Sequence, residues 1–272
     1  MSESNKRNFI VHGSILAIAG ILVRIIGMLY RIPVVNIIGS EGNGIYGAAF
    51  NIYNIMLVLS SYGLPMAVSK LVSARFTKKR YKSAAKVLRC SLMVAVCTGG
   101  IAALLVFFGA SFIENVIYGG GLPGLAVPLR ILAPTIFLVA ILGVIRGFFQ
   151  GQSTMIPTAV SQILEQIVNA IVSIAAGYGM MKAFASLPDV AAYGAAGSTL
   201  GTAMGALTAV LFMGFLYAVY TPTFNRLKRK DRHTENQSTG QICKIIIYTM
   251  IPIILGQTFY QISALIDDVM FS

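Results

Sequence analysis

The sequence has 272 residues, of which 11% are charged and 56% are hydrophobic, with a mean hydropathy of +0.77. An ordinary soluble domain has about 25% charged residues, so this composition excludes a soluble globule and a disordered chain and indicates a polytopic membrane protein. Three well-separated cysteines and two histidines are too few for a Cys/His metal cluster or a disulfide framework. We therefore expect no metal and no cofactor.

Seven stretches of the chain are apolar and long enough to cross a bilayer, which takes about 20 residues per helix. The sequence therefore predicts an all-α, polytopic transmembrane helix bundle. In chain order, the predicted spans cover residues 9–38, 44–72, 87–108, 122–148, 157–181, 190–220 and 245–272.

A polar, basic segment at residues 221–241 separates six spans from the seventh. An even number of spans brings the seventh back in the orientation of the first, which is the pattern of a parallel repeat. The sequence thus predicts a six-helix lobe over 1–220, a linker over 221–241, and, detached from that lobe, the first helix of a second lobe over 242–272. Because the chain ends inside an apolar stretch, we expect a truncated product that lacks most of the second lobe.

Lysine and arginine, which give the chain a net charge of +12, concentrate in alternate connections. The N-terminus and residues 70–89 and 226–244 carry most of them, whereas the opposite connections carry little charge. The positive-inside rule then predicts a multi-pass protein of the cell membrane with a cytoplasmic N-terminus. This alternation of basic and weakly charged connections explains the basic clusters, so no nucleic-acid-binding role is needed for them. It also makes membrane lipids the expected neighbours of these clusters.

Polar residues recur along one face of the fifth span. Their spacing of i, i+3, i+4, i+7 and i+11 is that of a single helix face, and the residues are Gln162, Glu165, Gln166, Asn169 and Ser173. Lipid cannot solvate such a face, which favours a cavity-lining, substrate-binding role. The alternative is hydrogen bonding between packed helices.

Two arginines lie two turns apart on the first span. Arg24 is about 22 Å along the helix from Phe9, too deep to reach the headgroups near the N-terminus, whereas Arg31 could extend to the outer interface. A guanidinium offers paired donors that suit phosphate. The pattern therefore predicts that the two arginines bind an anionic head group.

The second and seventh spans carry the remaining candidates. Gly63 and Pro65 predict a kink that is either a hinge or purely structural. Asn51, on the same span, is a further polar candidate for substrate binding. Asp267 and Asp268 lie at the same predicted height as Arg31 and could form a gate with it across the outer mouth, or be ordinary solvated residues at a helix end.

No catalytic signature accompanies these polar residues. The sequence has no phosphate-binding loop of the type GxxxxGK[ST], no GxSxG nucleophile motif and no HExxH motif. We therefore expect a protein that is not an enzyme.

Several longer motifs occur in order along the chain, namely RIPVVNIIG (31–39), EGNGIYGAAFNIYNI (41–55), SSYGLPMAVSKLVS (60–73) and RGFFQGQSTMIPTAVSQILEQIVN (146–169). With these motifs the chain resembles the stage V sporulation protein B group. That group belongs to the polysaccharide-biosynthesis flippases of the multidrug/oligosaccharidyl-lipid/polysaccharide (MOP) exporter superfamily.

The resemblance implies two helix bundles around a central cavity, alternating access, and an undecaprenyl-linked sugar or a lipid II-like substrate. It also implies that Arg24 and Arg31 match cavity arginines on the first helix. Because the chain covers only one lobe and one further helix, a companion chain could supply the missing lobe. Three alternatives remain: a multidrug/cation antiporter of the same superfamily, a non-transporting scaffold for cell-wall synthesis, and a membrane glycosyltransferase. Two arginines on one face disfavour a cationic drug, and polar intramembrane stripes are unnecessary in a scaffold. A glycosyltransferase would need an acidic metal-binding pair that the chain lacks.

Overall fold

A computed structural model describes the backbone over residues 3–233 and 237–271, and the side chains over 13–233 and 237–257. Seven α-helices make up most of this part of the chain: α1 (Glu3–Ser60), α2 (Leu64–Thr77), α3 (Tyr81–Phe112), α4 (Ala126–Gly151), α5 (Ile156–Ala183), α6 (Val190–Lys230) and α7 (Thr239–Phe271). Within the described residues, six helical stretches are long and apolar enough to span a membrane, the first of which, Gly13–Thr77, includes both α1 and α2. The predicted all-α polytopic bundle is confirmed, and the protein is a multi-pass membrane protein.

The first two predicted spans meet at a sharp bend within α1. In α1, Gly39 has φ 71° and ψ −176°, a conformation that glycine adopts without strain, and it separates the two spans. The predicted interruption further along is present, because α1 ends at Ser60 and α2 begins at Leu64. Pro65 lies in the first turn of α2, where its missing N–H leaves no hydrogen bond unmade.

Two apolar cores fill the bundle, one near the Gly39 bend and one near the opposite end. The second core is rich in aromatic rings, with Phe148 in edge-to-face contact with Phe224 at 5.3 Å and Phe76 stacked on Phe224 at 6.1 Å. We call this the basic end, because it also holds the basic turn at residues 78–80 and the basic last turn of α6.

Glycines bring two helix pairs into close contact, as is common where lipid provides no hydrophobic driving force. Gly197, Gly201 and Gly205 of α6 pack on the backbone of α5, and Gly143, Gly147 and Gly151 of α4 pack on α2. The polar face of α5 is therefore held tightly against α6.

We expect Gly201→Ala to destabilise the bundle by about 1 to 3 kcal/mol. An added Cβ would lie 2.5 Å from the carbonyl oxygen of Asn169 and 2.6 Å from the backbone nitrogen of Ser173, and neither backbone atom can rotate away. Gly214→Ala on the same helix is the matched control, because a Cβ there meets nothing within 4 Å. Thermal unfolding in detergent measures both, and equal stability of the two variants would contradict the packing argument.

The seventh helix is not detached from the preceding six, contrary to expectation. Ile242, Ile246 and Met250 of α7 are buried in the core at the basic end, and a Cβ on Gly63 would lie 3.0 Å from the Met250 side chain. The apolar face of the first half of α7 is buried here because the break before α2 leaves room for it. The division into two lobes stays a prediction.

The predicted linker is shorter than expected and is fastened to the bundle. Helix α6 continues to Lys230, so residues 221–230 are helical. The buried Asp231 carboxylate then accepts hydrogen bonds from the backbone N–H groups of Lys82 and His233, both at 2.9 Å. Burial opposes ionisation, but these donors hold the pKa of Asp231 below its ordinary value. The contact is therefore retained at neutral pH and weakens only in acid.

Candidate functional site

Helix α5 presents a charged group to its neighbour inside the bundle. The Glu165 carboxylate accepts a hydrogen bond from Nη2 of Arg146 on α4 at 2.7 Å, and Nε of Arg146 donates to the Ser161 hydroxyl at 2.9 Å. The two side chains are only 14% and 26% exposed. The Ser161 hydroxyl in turn donates a hydrogen bond to the carbonyl oxygen of Thr158, so the arginine is held from two sides.

The depth of Glu165 along α5 explains why its carboxylate forms an ion pair. Glu165 lies nine residues from Ile156, the start of α5, which is about 13 Å along the helix. A single charge at such depth is costly, and an opposite charge with good geometry lowers that cost. The sequence predicts that Glu165 is either the counter-ion of a cavity arginine or a proton/cation coupling site. The observed partner is Arg146, near the α4–α5 turn, and not Arg24 or Arg31 of α1.

Asn169 and Ser173, one and two turns further along α5, tie three helices together. The Ser173 hydroxyl is 2.8 Å from the carbonyl of Ser198 on α6 and 2.9 Å from Oδ1 of Asn169. Nδ2 of Asn169 donates to the Tyr30 hydroxyl on α1 at 3.4 Å. Both residues are buried. This geometry is that of hydrogen bonding between packed helices, the alternative left open by the sequence.

A cleft of about 580 Å³ lies on α1 next to the Gly39 bend. Its polar lining is Arg31, Asn36 and Asn43, and its apolar lining is Met28, Ile32, Val35 and Gly27. Oδ1 of Asn43 is buried and accepts no hydrogen bond from the described residues. We call this the Arg31 cleft. Its lining combines a cation and two amides with aliphatic side chains.

Gln166 brings the polar face of α5 to the edge of this cleft. A Cβ on Gly27 would lie 3.1 Å from Nε2 of Gln166, so the glycine lets this amide lie close to α1. Gly27 and Arg31, one turn apart on α1, both line the cleft. Of the predicted site residues, Arg31 lines the cleft and Gln166 lies next to Gly27 at its edge.

The other predicted site residues lie apart from the cleft. Arg24 is exposed on α1 and does not line it, and Asn51 and Gln162 are half-buried elsewhere on α1 and α5. Gly63 and Pro65 lie at the break between α1 and α2, in contact with α7 and α4 respectively. Asp267 and Asp268 lie in α7, but their side chains are outside the described residues, so their pairing with Arg31 stays a prediction.

Sequence reasoning missed Arg146, Asn36 and Asn43. A signal for Arg146 was present, because the turn between α4 and α5 is only four residues long. Two antiparallel helices joined so tightly bring the end of one beside the start of the other. Asn36 and Asn43 flank the Gly39 bend, and without that bend the spacing of the two residues gives no sign that they line one cleft.

The chain matches the family described as "Polysaccharide biosynthesis protein" over residues 10–272. The chain belongs to this family. Stage V sporulation protein B of Bacillus subtilis (strain 168) is 31% identical over 209 residues, which are 76% of this chain and 39% of that protein. Lipid II flippase MurJ of the same strain is 34% identical over 176 residues, which are 62% of this chain and 32% of that protein.

Solved structures of other proteins share the fold of this chain at low sequence identity. A MATE protein in the straight conformation has a TM-score of 0.73 at 17% identity, covering 93% of this chain and 53% of that one. A MOP superfamily transporter from Pyrococcus furiosus, described as having a binding pocket of reverse polarity, has a TM-score of 0.66 at 18% identity, covering 90% and 52%. The chain thus spans about half of these transporters, and less than half of the two curated relatives.

Proposed function

We propose that the protein containing this chain is a flippase of the MOP superfamily that moves a lipid-linked oligosaccharide across the cell membrane. The observation that carries this is the Arg31 cleft, which places a guanidinium beside amides and aliphatic side chains. Two similar proteins are named as a lipid II flippase and a sporulation protein, and the family is named for polysaccharide biosynthesis. The chain carries out no catalysis in this proposal.

The chemistry of the cleft matches the parts of such a substrate. The guanidinium of Arg31 offers a planar fork to a phosphate. The amides of Asn36 and Asn43 can bond sugar hydroxyls, and the unpaired Oδ1 of Asn43 is an acceptor awaiting a donor. Met28 and Ile32 are exposed on α1 and lie where an isoprenoid chain would run. The remaining half, from the same or a companion chain, would close the cavity and provide alternating access.

A multidrug/cation antiporter is the second candidate, because MATE transporters share the fold. The sign of the charge in the cleft separates the two. In proteoliposomes of the complete protein, we expect a lipid-linked sugar pyrophosphate to change leaflets and a cationic dye to stay on its side. Movement of the dye without movement of the lipid-linked sugar would reject the flippase.

We infer that the basic end faces the cytoplasm, because the turn at residues 78–80 and the last turns of α6, at residues 226–230, carry the positive charge. In a background without native cysteines, an impermeant maleimide added to intact cells should label Ser186→Cys, an exposed position at the opposite end. It should leave Lys78→Cys unlabelled until the cells are opened. The reverse labelling pattern would invert the orientation.

A further inference from the structure

A second concave site lies at the basic end, far from the Arg31 cleft. It is a cleft of about 540 Å³ between α3, the end of α6 and the start of α7. Its basic lining is Lys82, Lys86, Arg89 and Lys228, and its other lining includes Ala85 and Met93. A neighbouring hollow shares Lys82 and Lys228 and adds Arg229 and Asn225. We call the two together the basic cleft.

The positive charges of the basic cleft are not neutralised by acidic side chains of the described chain. Asp231, the acid that contacts this region, has a 1% exposed side chain and is occupied by the backbone of Lys82 and by His233. Lys86 donates to the carbonyl oxygen of Gln237, and Lys228 lies 5.2 Å from the centre of the Phe224 ring. Five cations therefore converge where an anion would lower their mutual repulsion.

Topology alone does not require this convergence. The positive-inside rule is satisfied by any basic residue on that side, and Lys78 and Lys79 satisfy it from an exposed turn outside the cleft. The basic cleft differs because its cations come from two helices that are distant in the sequence, with Arg89 on α3 and Lys228 on α6, and line one hollow. Tertiary packing, and not local composition, assembles it.

The cleft opens onto an apolar strip. Met93, which lines the cleft, is 52% exposed, and an exposed face of α3 continues from it through Val96, Ile101 and Leu104. A cationic hollow at the end of an apolar strip has the shape of a phospholipid, with its phosphate in the hollow and an acyl chain along the strip. A soluble anion would gain nothing from the strip.

We propose that the basic cleft binds the phosphate headgroup of an anionic membrane phospholipid, whose acyl chain lies along the exposed face of α3. The lipid would bridge α3 and α6 beside the α6–α7 connection, which Lys86 already contacts through Gln237. Binding would therefore fasten this connection to the bundle. The proposal is independent of which molecule occupies the Arg31 cleft.

The test is lipid binding to the complete protein in detergent, measured by native mass spectrometry with phosphatidylglycerol, phosphatidylcholine and inorganic phosphate as probes. We expect Arg89→Gln combined with Lys228→Gln to weaken phosphatidylglycerol binding by roughly tenfold or more. Both side chains lie at the surface of the cleft, and the described residues give neither a hydrogen bond that holds the fold. The control is Lys78→Gln combined with Lys79→Gln, which removes the same charge outside the cleft and should have little effect.

A charge-conserving pair, Arg89→Lys with Lys228→Arg, should retain phosphatidylglycerol binding and so separates lost charge from lost folding. An equal loss in the control pair would overturn the proposal, because binding would then follow overall charge. Equal binding of phosphatidylcholine would overturn it as well. Inorganic phosphate binding as tightly as the lipid would also contradict it, since the apolar strip would then contribute nothing.

Discussion

Replacing Arg31 by alanine should lower transport of a lipid-linked sugar pyrophosphate by about 10- to 100-fold, the effect of losing a charge-assisted hydrogen bond to phosphate. Arg31 lines the cleft and is exposed, so its loss should leave the fold intact. Arg31→Lys should restore only part of the activity, because an ammonium keeps the charge and loses the planar fork. Transport by the reconstituted complete protein is the measurement.

Arg130→Ala is the matched control for Arg31. Arg130 is also exposed, and among the described residues it donates to the Ser111 hydroxyl alone, at 2.9 Å. It lies on α4 and does not line the cleft. The Arg130→Ala variant should transport the substrate at the rate of the unmodified protein. Normal transport by Arg31→Ala, or an equal loss in both variants, would remove Arg31 from substrate binding.

Replacing Glu165 by alanine should lower the free energy of unfolding by about 3 kcal/mol, because it leaves Arg146 as an unpaired charge inside the bundle. Replacing both residues together, as Arg146→Leu with Glu165→Leu, should recover most of that loss, since the double variant buries no lone charge. Reversible unfolding in detergent measures both variants. If the double variant were no more stable than Glu165→Ala, the pair would contribute to stability by more than the mutual compensation of two buried charges.

Glu165→Gln tests whether the same carboxylate also couples transport to protons. The amide oxygen can still accept from Arg146, but the charge is gone. Since the carboxylate is held at 2.7 Å by a guanidinium, we expect a counter-ion role and an unchanged pH dependence of transport. Loss of the pH dependence would instead make Glu165 the coupling site.

The helices were predictable from sequence because their signal is local. A run of about twenty apolar residues marks a span without reference to the rest of the fold. Gly63 and Pro65 likewise mark a break in a helix from the local sequence alone. The sharp bend between the first two spans was not predictable in its detail, since it rests on the non-helical backbone of the single residue Gly39. The docking of α7 depends on the buried face of Ile242 and Ile246, which an evenly apolar helix does not reveal.

The site was predictable only in part, for the same reason. The i, i+3, i+4 spacing correctly placed Glu165, Gln166 and Asn169 on one face of α5, but it could not say what each residue meets. The partners lie on other helices: Arg146 for Glu165, Gly27 for Gln166 and Tyr30 for Asn169. Helix pairing is set by the glycine contacts of α4 and α6, which a single helix face does not encode.

The claim that the Arg31 cleft holds the substrate is tested most directly by site-specific photocrosslinking. A photoreactive amino acid at Asn36, which lines the cleft, should crosslink a radiolabelled lipid-linked sugar pyrophosphate, and Arg31→Ala should abolish the crosslink. The same amino acid at Phe108, which is 76% exposed on α3, is the control for contact with bulk lipid and should give none. A crosslink at Phe108 equal to that at Asn36, or one at Asn36 that persists without Arg31, would contradict the account.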